Sequence, residues 1–360
     1  MIPALIVLCI LIVVIVVLSV LINLKTKPRK EGAENQIAVG GMLESDDFDY
    51  GKERDKKLAR SVVVKLMQVL WMTTAKSDAA NHEKIAPNTP GGIREHIDIP
   101  YIDDKSRYHK LDVYYPEALA ATRNPVIIDI HGGGWMYGDK ELNKPYCLGL
   151  ASRGYTVFSI SYSLVPDVTV ERQLQEIALA MQKIKTLLPE YPCDPSNIIL
   201  TGDSAGGQLA AFTAVLLQSD ELCEAFDVKR VDLPLSGLLL TSPVPNMNAK
   251  GYMKIYTAKM WGSNYKDKKT LPYMNFEDLI GYAELPPTYL ITSAGDILAH
   301  DQTVSVYNTL KKHKVNCVLA DFGGEEGKKL PHVFSVLSPY EGRGKSVVDD
   351  ALKFLNANRV

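Results

Sequence analysis

The chain has 360 residues, with 40 Lys and Arg against 42 Asp and Glu and a formal net charge of −2 at pH 7. This near balance gives no basic surface for nucleic acid, and a hydrophobic content of 46% is enough for one large domain with additions. The five cysteines have no C-x-x-C spacing, so they imply neither a disulfide framework nor a metal site.

The first apolar run, Ala4 to Leu24, is uncharged and rich in Ile, Val and Leu. Its length matches the roughly 20 residues that cross the hydrocarbon core of a bilayer. A cleaved signal peptide is the alternative. No basic residue precedes the run, however, and the run exceeds the usual apolar length of about 7–15 residues in a signal peptide. We therefore predict that residues 1–24 form a transmembrane anchor.

Basic residues flank only one side of this run. Lys25, Lys27, Arg29 and Lys30 follow it, whereas only the amino terminus precedes it. Because positively charged flanks stay on the cytoplasmic side, the charge pattern predicts that the rest of the chain is cytoplasmic. A lumenal or extracellular location is the alternative.

Residues 25–54 mix charged residues and glycine without periodicity, which predicts a tether between the anchor and a domain over residues 55–360. From Asp55 to Lys76 the apolar residues recur at helical spacing. They are Leu58, Val62, Leu66, Val69 and Leu70. We interpret this segment as an amphipathic helix that packs over the domain as part of a cap, the alternative being that its lysines contact anionic lipid.

Alternating residues in Ile93–Ile99 and Tyr108–Tyr115 predict two antiparallel strands at the edge of a sheet. Short, nearly continuous apolar runs then alternate with helical stretches. The runs are Pro125–Ile130, Tyr155–Ser161, Asn197–Leu200, Leu238–Thr241, Thr288–Thr292 and Asn316–Ala320. This pattern is typical of an α/β fold whose parallel sheet is covered by helices on both faces.

The stretch Thr201–Gly207 joins the run Asn197–Leu200 to a helix rich in Ala and Leu. Ser204 has a glycine at both second neighbours, which allows a tight turn that exposes its Oγ atom. We interpret this stretch as a nucleophile elbow. A phosphate-binding loop and an ordinary turn from strand to helix are the alternatives.

A second glycine motif, His131–Trp135, directly follows the run Pro125–Ile130. Three successive glycines cost chain entropy, so we expect their backbone N–H groups to approach a ligand closely. Such a loop facing a G-x-S-x-G elbow supplies donors to the oxyanion of acyl transfer. The two motifs together predict a serine hydrolase.

With these motifs the chain resembles the hormone-sensitive-lipase family of α/β-hydrolases, in its GDSAGG branch. A third motif, Tyr162–Asp167, resembles the family's YRLAPE, and the resemblance spans Ile93 to Asn356. It implies an α/β-hydrolase fold with a mostly parallel central sheet and a helical cap. It also implies a small-molecule or lipid ester as substrate, and no metal or organic cofactor.

The resemblance further implies that the backbone amides of Gly133, Gly134 and Ala205 form the oxyanion hole. Asp203 is expected to brace the elbow. Trp135 either shields the loop from water, lines the alcohol side of the site or simply packs. His131 opens the glycine loop, and we expect it to shape that loop and not to accept a proton.

The general base is predicted downstream of the nucleophile, in the order Ser, acid, His. His332 follows the last predicted strand and matches the family's H-x-F as His332-Val333-Phe334. The other histidines precede the centre of the sheet or lie in or beside a helix. We therefore predict His332 as the base.

The acid of the triad is expected just after the preceding strand, where Asp296 lies. The family usually reads D-P-L-x-D here, but this chain has isoleucine at the second position and one extra residue before Asp301. Asp296 is the predicted acid and Asp301 the reserve candidate. For either residue, capping of a helix is the alternative role.

The long connection from Pro243 to Leu285 carries too many aromatic and methionine residues for a linker. We predict that residues 243–285 form a cap together with residues 55–90. Most of these side chains would build the core of the cap, and a minority would line an acyl pocket. Amide or peptide hydrolysis by the same triad and a receptor without catalysis are the rival functions. The sequence does not indicate an oligomeric state.

Overall fold

The computed structural model describes residues 17–26, 29–30, 38–41, 43–44, 55–247 and 253–359. Residues 17–25 are helical, and residues 1–16, which carry most of the predicted anchor, lie outside the described residues. In the parts of the chain just given, no helix is both long and apolar enough to cross a membrane.

An eight-stranded sheet organises the domain. Its strands are β1 Ile93–Pro100, β2 Lys110–Pro116, β3 Asn124–Ile130, β4 Thr156–Ile160, β5 Cys193–Asp203, β6 Leu235–Thr241, β7 Thr288–Ser293 and β8 Cys317–Phe322. The order across the sheet is β8-β7-β6-β5-β3-β4-β2-β1. β2 is antiparallel to β1 and to β4, and all other neighbours are parallel. The predicted fold class and the antiparallel pair at the edge are confirmed.

Helices cover both faces of this sheet. They are α1 Lys56–Ala59, α2 Val62–Ile85, α3 Lys144–Ser152, α4 Val170–Leu187, α5 Ser204–Leu216, α6 Asp220–Phe226, α7 Met253–Met260, α8 Phe276–Leu279, α9 His300–Lys312, α10 Gly324–Gly327, α11 Phe334–Leu337 and α12 Gly342–Asn358. Short 3-10 helices occupy Ala86–Asn88, Glu117–Leu119, Leu188–Glu190, Tyr265–Asp267, Leu271–Tyr273 and Ile280–Tyr282. Residues of α4, α5 and α9 pack into one apolar core, and residues of α3 and α12 pack into the other.

The two cores explain the continuous apolar runs in the sequence. In β3, Val126, Ile128 and Ile130 face the core beneath α4 and α5, whereas Ile127 faces the core beneath α3 and α12. Successive side chains of a strand point to opposite faces, so a central strand that is buried on both faces needs apolar residues at every position.

The helix predicted over Asp55–Lys76 exists, but its buried face differs from the prediction. The helix is interrupted at Arg60 and Ser61, which separate α1 from α2. Although Leu58 is buried, Val62, Leu66 and Leu70 are 68%, 49% and 50% exposed. The prediction that these three residues face the domain is therefore wrong, because Val64 and Gln68, on the opposite side of α2, are the residues that are buried.

The face of α2 that contacts the domain is partly polar. Its fully buried residues include Val64 and Gln68, and the Gln68 side chain donates a 2.7 Å hydrogen bond to the carbonyl oxygen of Gly40. Trp71, one turn further along, stacks on Tyr137, which follows the glycine loop. Specific polar and aromatic contacts, and not a continuous apolar stripe, fix this helix on the domain.

Part of the predicted tether also belongs to the domain. Ala38 and Val39 are buried, and Val39 forms an antiparallel bridge with Tyr137. The Gly41 N–H donates a 2.6 Å hydrogen bond to the Asp167 carboxylate. The tether prediction is therefore wrong for residues 38–41, because backbone pairing, which composition does not reveal, holds this short segment.

The connection between β6 and β7 packs as compact structure, as expected for a segment rich in aromatic residues. Most of its predicted apolar residues are buried in the same core as α4 and α5. The buried ones are Met247, Tyr256, Met260, Trp261, Met274 and Phe276. The Trp261 indole N–H donates a 2.9 Å hydrogen bond to Thr270 within the segment. These buried side chains thus belong to the core that they share with α4 and α5. The assignment of residues 55–90 and 243–285 to a cap stays a prediction.

Candidate active site

Ser204 lies where β5 ends and α5 begins, so the predicted strand, turn and helix are present. Its φ angle is 51°, in the left-handed region that residues other than glycine rarely adopt. A Cβ atom at Gly206 would lie 2.1 Å from the carbonyl oxygen of Ile130, and one at Gly202 would lie 2.4 Å from that of Gly206. Only glycine fits at these two positions, which explains the G-x-S-x-G spacing.

A continuous chain of hydrogen bonds joins Ser204, His332 and Asp296. The Nε2 atom of His332 lies 2.9 Å from Ser204 Oγ, and its Nδ1 atom lies 2.8 Å from Asp296 Oδ1. Asp296 is 1% exposed, and its Oδ1 atom also accepts a 2.9 Å hydrogen bond from the Ala299 N–H. The carboxylate is therefore fixed in one orientation, with the imidazole between it and the serine.

The electrostatics of the site favour an ionised acid. Burial alone would raise the pKa of Asp296, but the hydrogen bond and positive charge of His332 outweigh burial, with help from the Ser242 hydroxyl and the Ala299 N–H. The pKa of Asp296 is consequently below its ordinary value. An ionised Asp296 accepts a hydrogen bond from the protonated Nδ1 atom of His332, so the unprotonated Nε2 atom can accept the proton of Ser204.

Asp301 lies elsewhere. It is in the first turn of α9, its side chain is 105% exposed, and its Oδ1 atom is 3.2 Å from His300 Nδ1. The structure thus brings Asp296, and not Asp301, to His332.

The glycine loop presents free amides beside the elbow. The N–H groups of Gly133 and Gly134 donate to no acceptor among the described residues, and Ala205 lies in the first turn of α5, where amides have no partner within the helix. The carbonyl of Gly133 accepts a 3.1 Å hydrogen bond from the Met136 N–H. Because N–H and C=O point in opposite directions across a trans peptide, this turn orients the Gly134 N–H.

His131 shapes this loop in the way the sequence suggested. Its Nδ1 atom lies 2.8 Å from the carbonyl oxygen of Gly132, so Nδ1 carries the proton. Burial lowers the pKa of His131 to about 4, and the neutral ring stacks on Tyr162 with 4.3 Å between centroids. The Tyr162 hydroxyl also donates to the His131 carbonyl at 2.6 Å. The third motif, Tyr162–Asp167, thereby supports the glycine loop.

Asp203 braces the elbow against the glycine loop. Its Oδ1 atom accepts a 2.9 Å hydrogen bond from the Gly132 N–H and a 2.8 Å bond from Asn143 Nδ2. Asn143 also lies 3.1 Å from Asp129 Oδ2. Burial raises the pKa of Asp203, and burial together with the charge of Asp203 raises the pKa of Asp129 well above its ordinary value. Asn143 carries no motif, so nothing in the sequence indicated its role.

Two further residues, which the sequence analysis did not identify, support the site. Ser242 is fully buried directly after β6 with a φ angle of 48°, and its Oγ atom lies 3.4 Å from the Val333 N–H. Its position at a strand end is the signal that could have identified it. Gln208 Oε1 accepts a 3.1 Å hydrogen bond from the Trp135 indole N–H, so Trp135 packs against α5.

The remaining reactive side chains do not join this site. Cys147, Cys193, Cys223 and Cys317 are buried without disulfides. His109 is buried between Asp104 and Glu176, at 2.6 and 3.2 Å. Within the described part of the chain, no group of three or more His, Cys, Asp or Glu side chains is arranged to hold a metal.

Comparison with known proteins identifies the family. The sequence profile of the Abhydrolase_3 family, described as alpha/beta hydrolase fold, matches residues 127–334. The chain belongs to this α/β-hydrolase family. The match includes the glycine loop, the elbow, both candidate acids and His332, so the predicted resemblance is confirmed for the part of the chain that carries the site.

Relatives of this α/β-hydrolase include esterases. Esterase LipQ of Mycobacterium tuberculosis is 30% identical over 171 residues, which are 44% of this chain and 40% of LipQ. The chain therefore spans less than half the length of that relative. Among solved structures, esterase B of Lactobacillus Rhamnosis is 30% identical, with a TM-score of 0.76, covering 81% of this chain and 93% of the esterase.

The same esterase has also been solved inhibited by a C4-C4 SN3 tributyrin phosphonate. That structure is 29% identical to this α/β-hydrolase, with a TM-score of 0.78, and the match covers 83% of this chain and 96% of the esterase. The similarity extends over nearly the whole of the esterase.

Proposed function

We propose that this α/β-hydrolase is a serine carboxylester hydrolase in which Ser204, His332 and Asp296 form the catalytic triad. The observation that carries the proposal is the hydrogen-bonded chain from Asp296 through His332 to Ser204. The free amides of Gly133 and Gly134 beside the elbow support it independently. Esterase relatives add support from the family.

In the proposed first step, Ser204 Oγ forms a bond to the ester carbonyl carbon while His332 Nε2 accepts its proton. The carbonyl oxygen becomes an oxyanion, which the amides of Gly133, Gly134 and Ala205 stabilise. The bond from carbon to the leaving oxygen then breaks, and His332 protonates the released alcohol. An acyl-enzyme remains on Ser204.

The second step returns the enzyme to its starting state. A water molecule attacks the acyl carbon while His332 Nε2 accepts one of its protons. The bond between carbon and Ser204 Oγ breaks, and His332 returns the proton to the serine. A carboxylic acid leaves. Throughout, ionised Asp296 stabilises the imidazolium and holds its orientation.

The substrate class we propose is a small-molecule or lipid ester. The structure of esterase B of Lactobacillus Rhamnosis with a tributyrin phosphonate inhibitor supports this class. Two rivals use the same fold: an amidase or peptidase with this triad, and a receptor that binds an ester without cleaving it. The histidine 2.9 Å from Ser204 Oγ favours catalysis over a receptor.

A panel of substrates tests this function. The full chain is assayed with p-nitrophenyl esters of increasing acyl length beside an aryl amide of matched acyl group. We expect turnover of the esters, with kcat/KM highest for one range of acyl length, and slower turnover of the amide. A faster amide would favour the rival hydrolase. Binding of the esters without turnover would favour the receptor.

The anchor at residues 1–24 and a cytoplasmic hydrolase domain remain part of the proposal. The uncharged run from Ala4 to Leu24 and the cluster of basic residues from Lys25 to Lys30 support them. In sealed vesicles of known orientation, protease on the non-cytoplasmic side is expected to leave the domain intact. Digestion from that side would favour the lumenal alternative.

A further inference from the structure

We propose that Trp71 and Tyr256 are positioning residues for the oxyanion hole, because both hold Gly134 from the two segments predicted to form the cap. The inference rests on the ester hydrolysis proposed above and extends it. Trp71 belongs to α2 and Tyr256 to α7, which lie far apart in the chain. They meet on the glycine loop.

Tyr256 holds the carbonyl side of Gly134. Its hydroxyl group donates a hydrogen bond to the Gly134 carbonyl oxygen, and the side chain is buried. Its ring also lies against the ring of Trp135, with 5.9 Å between centroids. A buried carbonyl with a tyrosine partner cannot rotate without losing that bond, so Tyr256 fixes the peptide plane that follows Gly134.

Trp71 holds the other side of the same residue. A Cβ atom built on Gly134 would lie 2.3 Å from Trp71 Cζ2 and 2.8 Å from the Tyr256 hydroxyl. The edge of the indole ring therefore lies against the Gly134 backbone. The Trp71 ring is itself fixed, because it stacks on Tyr137 with 5.5 Å between centroids and 11° between planes.

These restraints matter because Gly134 has no side chain to limit its own backbone. Its φ angle is +56°, and glycine populates several other regions almost as readily. An oxyanion hole lowers the barrier only when its donors already point to the developing charge. The Gly133–Met136 turn orients the peptide plane before Gly134, and Tyr256 fixes the plane after it. With Trp71 also against the Gly134 backbone, the Gly134 N–H keeps one direction before the substrate arrives.

The test variant is Tyr256→Phe, which removes the hydroxyl group and keeps the ring packed on Trp135. We expect kcat for an ester to fall by about 10- to 100-fold, since small misplacements of catalytic groups cost up to about 100-fold. KM should change by less than about twofold. Tyr273→Phe is the matched control. It lies in the same connection, and its hydroxyl group donates to Glu221 at 3.1 Å on the surface, so its kcat should equal that of the wild type.

A thionoester identifies the step that is affected. The sulfur of a C=S group accepts hydrogen bonds weakly, so its turnover depends little on the oxyanion hole. We expect the wild type to have a much higher kcat for the oxygen ester than for the thionoester. Tyr256→Phe should lose most of this difference, because only its kcat for the oxygen ester falls. A variant whose fold or triad is damaged would slow both substrates equally.

Trp71→Phe is a second variant for the same measurements. Phenylalanine is too short to reach Gly134 as Trp71 Cζ2 does, so this variant removes the contact from the other segment. Unchanged kcat in both folded variants, or an equal loss for ester and thionoester, would overturn the inference. An inactive wild type would instead refute the proposed function. The two failures are thus distinguishable within one experiment.

Discussion

The Nε2 atom of His332 lies 2.9 Å from Ser204 Oγ, although 128 positions separate the two residues in the chain. Each residue follows a strand of the parallel sheet, Ser204 after β5 and His332 in the loop beyond β8. Asp296 follows β7, which lies between β6 and β8 in the sheet. Because parallel strands end at the same edge, three separate loops meet there, and the site depends on the integrity of the sheet.

Ser204→Ala is expected to abolish ester turnover and labelling by a fluorophosphonate, since no other described serine lies on a nucleophile elbow. His332→Ala should lose a similar factor in kcat, on the order of 10⁵–10⁶, because triad members act as a unit. Steady-state kinetics and gel labelling measure both effects. Substantial labelling of Ser204→Ala would show that another residue is the nucleophile.

Asp296→Asn and Asp301→Asn separate the two candidate acids. The side-chain amide introduced by Asp296→Asn would reverse the tautomer of His332, and we expect kcat to fall by about 10⁴-fold with the fold retained. Asp301 is fully exposed, so Asp301→Asn should stay within about twofold of the wild type. Circular dichroism controls for folding. The opposite ranking of the two variants would contradict the assignment of the acid.

Gly206→Ala is expected to destabilise the domain, because the added Cβ atom would meet the Ile130 carbonyl oxygen at 2.1 Å. Overpacking of this kind typically costs about 1–3 kcal/mol in the free energy of unfolding. Gly281→Ala is the control, since its Cβ atom meets nothing within 4 Å. Urea unfolding measures both variants. Equal stability of the two would mean that the elbow relaxes around the methyl group.

The raised pKa of the buried His109 leads us to expect that the stability of the protein depends on pH. Burial lowers its pKa, but hydrogen bonds and charges from Glu176 and Asp104 outweigh burial and raise it above the ordinary value. Ser163 and Arg172 also contact this cluster, and the ring centroid of Tyr101 lies 5.7 Å from that of His109. A raised pKa in the folded state stabilises the protein below the unfolded pKa of about 6.5, and this stabilisation is lost as the pH rises through the folded pKa.

We therefore expect the free energy of unfolding of the wild type to exceed that of His109→Gln most at about pH 6 and to approach it as the pH rises. Denaturant unfolding at several pH values between about 6 and 9 measures the difference. A difference that grows with increasing pH would contradict a protonated His109 in the folded state.

Shortened chains test the packing of residues 38–41. Removal of residues 1–24 is expected to leave the stability of the domain unchanged and to move the protein from the membrane fraction to the supernatant. Removal of residues 1–54 should lower the melting temperature, because burial of a Val39-sized side chain is worth about 1.5–3 kcal/mol and the hydrogen bond from Gly41 to Asp167 is also lost. Identical melting temperatures of the two shortened chains would mean that residues 38–41 contribute nothing to the stability of the domain.

The sequence by itself determined the fold class and the main parts of the candidate site. Runs such as Pro125–Ile130 predict buried parallel strands because each residue faces one of two cores. The elbow around Ser204 and the loop at His131 can be predicted from the sequence. Their glycines are required by local backbone geometry, which involves only a few neighbouring residues. His332 is predictable because chain order and a short local motif suffice.

Only the tertiary structure decided which of several equivalent partners meet. Asp296 and Asp301 are similar in the sequence, and their distances to His332 depend on how the loop after β7 folds. Val62, Leu66 and Leu70 have helical spacing, yet they face outward because the opposite side of α2, with Val64 and Gln68, contacts the domain. Trp71 and Tyr256 reach Gly134 from distant segments. Contacts of this kind depend on the relative positions of whole elements, which no local pattern encodes.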